Sequence, residues 1–157
     1  MNITRALPGI VLLLGVVAII IGVTFIGQGI FRNNQLVEAM RVERVTLGIE
    51  SDLEGEVIDS LAEAQEAGDT IREHRRGIAS TYNELLEGGR FDPTNPAHLT
   101  YAQAMNLENY LYLAVVAFGL IQSVIASGVF MVLTGIALGG TGLALLGLGR
   151  ASQAGAA

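Results

Sequence analysis

The sequence ALPGIVLLLGVVAIIIGVTFIGQGIF, residues 6–31, contains 26 residues and no charged side chain. An α-helix needs about 20 apolar residues to cross the hydrocarbon layer of a bilayer, so this segment is long enough to span it. A cleavable signal peptide has an apolar region of about 7–15 residues and a small-residue cleavage site. Because this run is longer and ends in the polar residues 32–34, we predict an uncleaved transmembrane helix over 6–31, after a short tail over 1–5.

A second uncharged run covers residues 111–149. As one straight helix it would be about 58 Å long, well beyond the thickness of a bilayer. The sequence GGTG at 139–142 weakens a helix by about 1 kcal/mol per glycine, so we predict that the helix ends there. The second transmembrane helix is therefore predicted over 106–138, followed by a Gly/Ala-rich tail over 139–157 whose apolar part lies along the membrane interface.

The charged residues are concentrated between these two runs. The chain has 157 residues, of which 51% are hydrophobic and 15% charged, and all 15 acidic residues and seven of the nine arginines fall within 32–108. This distribution excludes an ordinary soluble globule, and a segment with excess negative charge would repel nucleic-acid phosphates. The absence of cysteine excludes disulfides, thiolate metal sites and a cysteine nucleophile.

Two crossings place both termini on one side of the membrane and residues 32–108 on the other. The fold class predicted is an all-α membrane protein, with two transmembrane helices flanking an acidic, mostly helical extramembrane domain over 32–105. Arg5 and Arg150 favour cytoplasmic termini, whereas the arginines just after the first helix favour the reverse orientation. The positive-inside rule is weak for loops longer than about 60 residues. We expect the acidic domain to lie outside the cytoplasm.

Within that domain, residues 56–87 carry a pattern of three- and four-residue spacings that predicts one helix. Small or charged residues weaken this stripe as a coiled-coil seam, so we expect it to pack on another segment of the same domain. The stripe consists of Leu61, Ala64, Gly68, Ile71, Arg75, Ile78, Tyr82 and Leu85.

The flanks of this helix have their own signals. Before it, residues 42–47 alternate between apolar and polar, which favours an extended strand after a helical start. After it, Gly88-Gly89 predicts a helix end and a turn follows. Asn95 is suited to cap a new helix that begins at Pro96 and leads to the membrane.

Three segments resemble a known group of proteins. NQLVEAMRVERVTLG (34–48), EAQEAGDTIREH (63–74) and TYNELL (81–86) follow the first apolar helix in this order, before a second one. They resemble a family of small two-pass membrane proteins of high-GC bacteria that often carry a ring-opening dioxygenase label. The resemblance covers about residues 35–138. It implies the topology and a bacterial inner-membrane location, and it supplies no activity.

The dioxygenase label does not agree with the residues. A non-haem iron site needs two histidines and a carboxylate that converge on one open face. His74 and His98 are the two histidines of the chain, and they fall on separate predicted helices. We interpret His74 as a surface or packing residue and His98 as a solvent or headgroup contact. The serines of the domain lie in no G-x-S-x-G elbow. We therefore predict no catalytic residue, no metal centre, no cofactor and no enzymatic activity.

Four carboxylates lie on roughly one face of the helix predicted over 56–87. A solvated face with intrahelical pairs to arginine explains them, and a binding site for a cation, lipid or envelope ligand is the alternative. We call them the acidic face: Glu63, Glu66, Asp69 and Glu73.

Small residues recur on both apolar helices, where they allow close helix packing in lipid. Two hypotheses follow: the two ridges pack on each other, or one of them docks onto a neighbouring subunit or another copy. Gln122, beside the second ridge, would seek a polar partner. The ridges are Gly15, Gly22 and Gly29 on the first helix and Gly119, Ser123 and Ser127 on the second.

The function expected from the sequence is that of a non-enzymatic accessory or scaffold subunit of a membrane or envelope complex. Its partners would be the lipid bilayer and other membrane subunits or a second copy. A membrane-anchored binding or sensor module for a cation, lipid or envelope ligand is the alternative.

Overall fold

The computed structural model describes residues 3–42, 55 and 57–154, and its regular elements are four α-helices. The fold class is therefore all-α, as the sequence predicts. The first and last helices are long and apolar enough to cross a membrane, by length and composition. The helices are α1 (Ile3–Val42), α2 (Leu61–Ile78), α3 (Tyr82–Leu86) and α4 (Pro96–Ala154).

The chain divides into two compact units. The apolar unit comprises Met1–Arg32 and Ile121–Ala157, and the polar unit comprises Asn33–Leu120. α1 is one unbroken helix that passes the boundary between Arg32 and Asn33 and ends at Val42. Of the predicted strand over 42–47, only Val42 lies within the described residues.

The single helix predicted over 56–87 is two helices, α2 and α3. Each begins with a capping motif that satisfies free N–H groups of the first turn. The Ser60 hydroxyl accepts a hydrogen bond from the Glu63 N–H at 3.3 Å, and the Thr81 hydroxyl accepts one from the Glu84 N–H at 3.2 Å. The three- and four-residue spacing of the stripe continues across the break at Ala79, so the spacing alone does not reveal that α2 ends there. The cap at Thr81 is what starts the new helix.

The turn between α3 and α4 follows the sequence prediction. The residues after α3, Glu87 and Gly88, adopt left-handed backbone conformations with φ of 48° and 79° and so end the helix. Asn95 caps α4, because its side-chain oxygen accepts a hydrogen bond from the Ala97 N–H at 2.9 Å. Pro96 is the first residue of the helix, where its missing N–H costs nothing.

The helix end predicted at Gly139 is wrong, because α4 runs without interruption to Ala154. The prediction assumed that the whole uncharged run lies in the bilayer. The structure instead assigns its first ten residues to the polar unit, where one side of this stretch, with Leu111, Ala114 and Phe118, forms a buried core with Ile58. Since this part of the run has a protein environment, a 59-residue helix need not fit within the membrane thickness.

In the apolar unit, α1 and α4 pack antiparallel with their backbones in contact at glycines. A Cβ on Gly22 would lie 2.6 Å from the carbonyl oxygen of Gly128, and one on Gly135 would lie 2.6 Å from that of Gly15. Neither distance leaves room for a side chain. The glycines of this contact, which we call the glycine interface, are Gly15, Gly22 and Gly29 on α1 and Gly128, Gly135 and Gly142 on α4.

Larger side chains of each helix fill the spaces beside the glycines of the other. Ile26 packs over Gly128 and Ile19 over Gly135, while Val132 packs over Gly22. In lipid, helices associate chiefly through such close packing, because the lipid tails are as apolar as the side chains. The alternation of glycine and branched residues therefore holds the apolar unit together.

Replacing Gly22 by alanine should destabilise the apolar unit. The added methyl would overlap the Gly128 carbonyl oxygen, and overpacking of this kind costs about 1–3 kcal/mol. We expect a lower midpoint in thermal unfolding of the protein in mild detergent. Gly27→Ala is the matched control, since a Cβ at Gly27 meets no atom within 4 Å. Equal midpoints for the two variants would contradict the close approach.

In the polar unit, α2 packs antiparallel along the first half of α4. Ala64, Ala67 and Gly68 are buried in this contact, and a Cβ on Gly68 would come within 3.2 Å of the Tyr112 ring. These small residues weaken a coiled-coil seam, yet they let α2 approach α4 closely. The partly buried Leu36, Val37 and Met40 of α1 pack against the same core.

Candidate functional site

The acidic face of α2 lies partly in structural bonds. The Glu63 carboxylate accepts a hydrogen bond from the Asp59 N–H at 2.8 Å and so completes the cap of α2. The Asp69 carboxylate accepts hydrogen bonds from the Tyr112 hydroxyl at 2.6 Å and from the Gln65 amide at 3.2 Å. It also forms an ion pair with Arg72 at 2.7 Å. Glu63 and Asp69 therefore stabilise the fold.

Glu66 and Glu73 border a shallow groove of about 430 Å³ along α2, together with Asp69 and uncharged residues of the same helix. Within the described ranges, no group of three or more histidine, aspartate or glutamate side chains is placed to hold a metal ion. The i,i+3 pair of Asp69 with Arg72 agrees with the interpretation of a solvated helix face carrying intrahelical pairs.

The hydrogen bonds of Asp69 also favour its charged form. The Tyr112 hydroxyl, the Gln65 amide and the Arg72 guanidinium together lower the pKa of Asp69 below its ordinary value of 3.8. Because the folded-state pKa is lowered, ionised Asp69 stabilises the fold above the unfolded-state pKa, and that contribution is lost as the pH falls through the folded-state pKa.

We expect Tyr112→Phe to reduce the pH dependence of stability in the acid range. The variant lacks the hydroxyl that contributes most to the lowered pKa of Asp69, so less stability is lost below about pH 4. Thermal midpoints measured between pH 3 and 7 would show a shallower acid slope than the wild type. An unchanged slope would mean that this hydrogen bond is absent in solution.

A buried charged network joins α2 to α4. Arg75 Nε donates a hydrogen bond to Glu108 Oε2 at 2.6 Å, and Arg75 Nη1 donates one to the Tyr101 hydroxyl at 2.5 Å. The side chains of Arg75 and Glu108 are 13% and 11% exposed, and Tyr101 is 1% exposed. The guanidinium carbon also lies 5.0 Å from the centre of the Tyr101 ring, a cation–π geometry.

The hydrogen bond with Glu108 raises the pKa of Arg75, so the guanidinium stays charged. A buried ion pair need not add net stability, but removing one partner leaves an uncompensated buried charge. The network therefore fixes the position of α2 on α4. In the sequence, Arg75 is a weak position of the helical stripe, and no local signal pairs it with Glu108. An arginine on a mostly apolar stripe is nevertheless the signal of a buried acidic partner.

Replacing Arg75 by methionine should destabilise the polar unit by about 3–5 kcal/mol, because Glu108 is left buried without its partner. The double variant Arg75→Met with Glu108→Leu should recover most of this loss, since no charge remains buried. Chemical unfolding followed by circular dichroism would measure both. Arg76→Met, at an exposed neighbouring position, is the control and should change little. A double variant as unstable as the single one would contradict the assignment.

Of the two histidines, His98 organises the turn before α4. Its Nδ1 accepts a hydrogen bond from the Asp92 N–H at 3.0 Å, and its Nε2 donates one to the Leu85 carbonyl at 3.1 Å. The ring stacks on Phe91 with centroids 5.6 Å apart. His98 thus has a packing role, which the predicted solvent or headgroup contact did not include. His74 is exposed and lies on α2, away from the α4 position of His98.

The predicted packing residues have different outcomes. Gly15 and Gly22 meet Gly135 and Gly128 of α4, whereas a Cβ on Gly29 would meet the Ile125 side chain. The repeat of Gly128, Gly135 and Gly142 every seven residues, which matches the repeat on α1, is the signal that could have identified this contact. On the predicted second ridge, a Cβ on Gly119 would lie 3.7 Å from the Leu61 side chain, and both residues belong to the polar unit. Ser123, Ser127 and Gln122 are exposed, and the Ser127 hydroxyl donates to the Ser123 carbonyl at 2.8 Å.

Comparisons with family models, with curated proteins and with solved structures find no match for this chain. The resemblance to the two-pass bacterial family therefore stays a prediction. The fold and the described contacts define an all-α protein with two helices that are long and apolar enough to cross a membrane.

Proposed function

We propose that this protein is a non-enzymatic two-pass membrane protein that serves as an accessory or scaffold subunit of a membrane or envelope complex. Two features support the proposal. One is the pair of apolar helices, α1 and α4, that pack through glycines and suit the bilayer, and the other is an exposed apolar surface on the polar unit.

The pairing of α1 with α4 supports an assignment of the residues that would cross the bilayer. The contacts of Gly15, Gly22 and Gly29 set residues 6–31 of α1 alongside α4 from about residue 121 onward. A helical stretch of 26 residues is about 39 Å long, enough to cross a hydrocarbon layer of about 30 Å. The outward side chains of this helix pair, such as Leu13 and Phe130, are large, apolar and exposed, as lipid-facing residues are. On this proposal, α4 crosses the membrane further along the chain than residues 106–138.

The observation that carries the proposal is an apolar row on α4 within the polar unit. Tyr110, Leu113, Val116 and Leu120 are 63%, 62%, 56% and 63% exposed. Contiguous exposed apolar patches on proteins mark sites of interaction. We call these four residues the α4 apolar face.

Lipid is a poor explanation for the α4 apolar face. The core beside it contains Leu36, Val37 and Met40 of α1, which are interleaved with the exposed, charged Glu38 and Arg41. Charged side chains are costly in hydrocarbon, so this level of the protein belongs outside the bilayer core. A partner subunit, or a second copy of the chain, would cover the face with an apolar helix of its own.

The remaining elements of the proposal follow from the charge distribution and the resemblance. The polar unit lies outside the cytoplasm of a bacterial cell and the apolar unit in its inner membrane. A partner that covers the α4 apolar face would be a membrane protein whose helix extends beyond the bilayer beside α4.

Site-specific photo-crosslinking tests the proposal. A benzophenone side chain at Leu113 should give one discrete cross-linked product in intact membranes, whereas the same group at Glu66, exposed on α2, should give none. Mass measurement after mild-detergent extraction should show the chain in a complex that is lost when Leu113 and Val116 are both changed to serine. A monomer without a co-purifying chain and without a cross-link at Leu113 would refute the proposal.

A further inference from the structure

A polar groove opens on α1 directly after its uncharged stretch. It has a volume of about 390 Å³, within the range of small-molecule sites. The residues that line it are Asn33, Asn34, Val37, Glu38 and Arg41 of α1 and Asp59, which precedes α2.

The α1 residues of the groove share one helix face, because the neighbours Val37 and Glu38 follow Asn33 and Asn34 by four residues and Arg41 follows Val37 by four. Asp59 is held in place through its backbone, since its N–H donates a hydrogen bond to Glu63 at the start of α2. The groove therefore combines elements of two segments that the polar unit fixes against each other.

The charges of the groove are mixed. Among the described residues that line it, Arg41 is the single cation, and Asn33 and Asn34 add amide donors. Guanidinium and amide groups bind phosphate oxygens. Glu38 and Asp59 are carboxylates, which accept hydrogen bonds from an ammonium group. A ligand that joins one phosphate to one primary ammonium matches this set.

We propose that the groove binds the phosphoethanolamine group of a zwitterionic phospholipid. The inference rests on the proposed function: with residues 6–31 in the hydrocarbon layer, Asn33 and Asn34 lie at headgroup level. Side chains of a helix tilt toward its N-terminus, which for α1 is the bilayer side, so Glu38 and Arg41 reach back toward the same layer.

Other headgroups fit less well. A phosphatidylglycerol headgroup carries a net negative charge and would meet two carboxylates against one guanidinium. A choline headgroup has no N–H to donate to Glu38 and Asp59. The apolar Val37 suits the glycerol and upper acyl chain of a lipid, and a soluble phosphoethanolamine ester lacks these parts.

Native mass spectrometry of the full chain in mild detergent tests the inference. Dioleoyl phosphatidylethanolamine, phosphatidylcholine and phosphatidylglycerol are added separately, and soluble glycerophosphoethanolamine is added as a competitor. We expect the ethanolamine lipid to be retained at least five-fold more than either other lipid. The soluble ester should compete only weakly. Competition at equal concentration would assign the groove to a free ester and overturn the lipid source.

Variants separate the roles of the lining residues. The double variant Glu38→Gln with Asp59→Asn should retain the ethanolamine lipid no better than the choline lipid. The variant Arg41→Gln should retain the ethanolamine lipid even less than this double variant does. Glu66→Gln, on the exposed face of α2, is the matched control and should bind as the wild type does. The changed side chains are exposed, so we expect every variant to fold. Thermal unfolding midpoints close to that of the wild type would confirm this.

Equal retention of the three lipids, a preference for phosphatidylglycerol, or retention unaffected by the carboxylate changes would overturn the inference. These outcomes are distinct from failure of the proposed function. The absence of a cross-link at Leu113 and of a co-purifying chain refutes the subunit role, and the lipid measurement does not depend on it.

Discussion

The close approach of two helix backbones at the glycine interface is the constraint on which the apolar unit depends. Carbonyl oxygens of one helix lie where side chains of the other would begin, at Gly22 with Gly128 and at Gly15 with Gly135. In water, apolar side chains could hold two helices together by burial alone. In lipid this driving force is missing, so packing between backbones and branched side chains takes its place. The pairing also sets the register that brings residues 6–31 alongside the second half of α4.

In the polar unit, small residues likewise bring two helices close together, but the contact also includes a buried ion pair. Ala64, Ala67 and Gly68 bring α2 close to α4, and the resulting core is small because these side chains contribute little apolar area. The buried pair of Arg75 and Glu108 gives this contact a defined position, since each charge requires the other. Thus α2 is fixed by close packing and by one ionic contact, while its outer face stays solvated.

The polar unit also shows how one helix serves two environments. α4 is uncharged from residue 111 to residue 149, yet its residues Leu111, Ala114 and Phe118 are buried by protein. The opposite side of the same segment exposes the α4 apolar face. Hydropathy cannot separate these cases, because the side chains that pack in the core and those that stay exposed are equally apolar. The difference lies in which neighbours the fold supplies.

The sequence contained the two apolar runs, the acidic domain between them, the cap at Asn95 and the glycine repeat of α1. These are local signals: run length, charge and the preferences of single turns fix them. The interruption between α2 and α3, the continuity of α4 and the partners of Arg75 and Asp69 depend on residues far apart in the chain. Long-range packing selects among several locally acceptable conformations, so the fold is needed to show which small residues meet and which carboxylates are already bound.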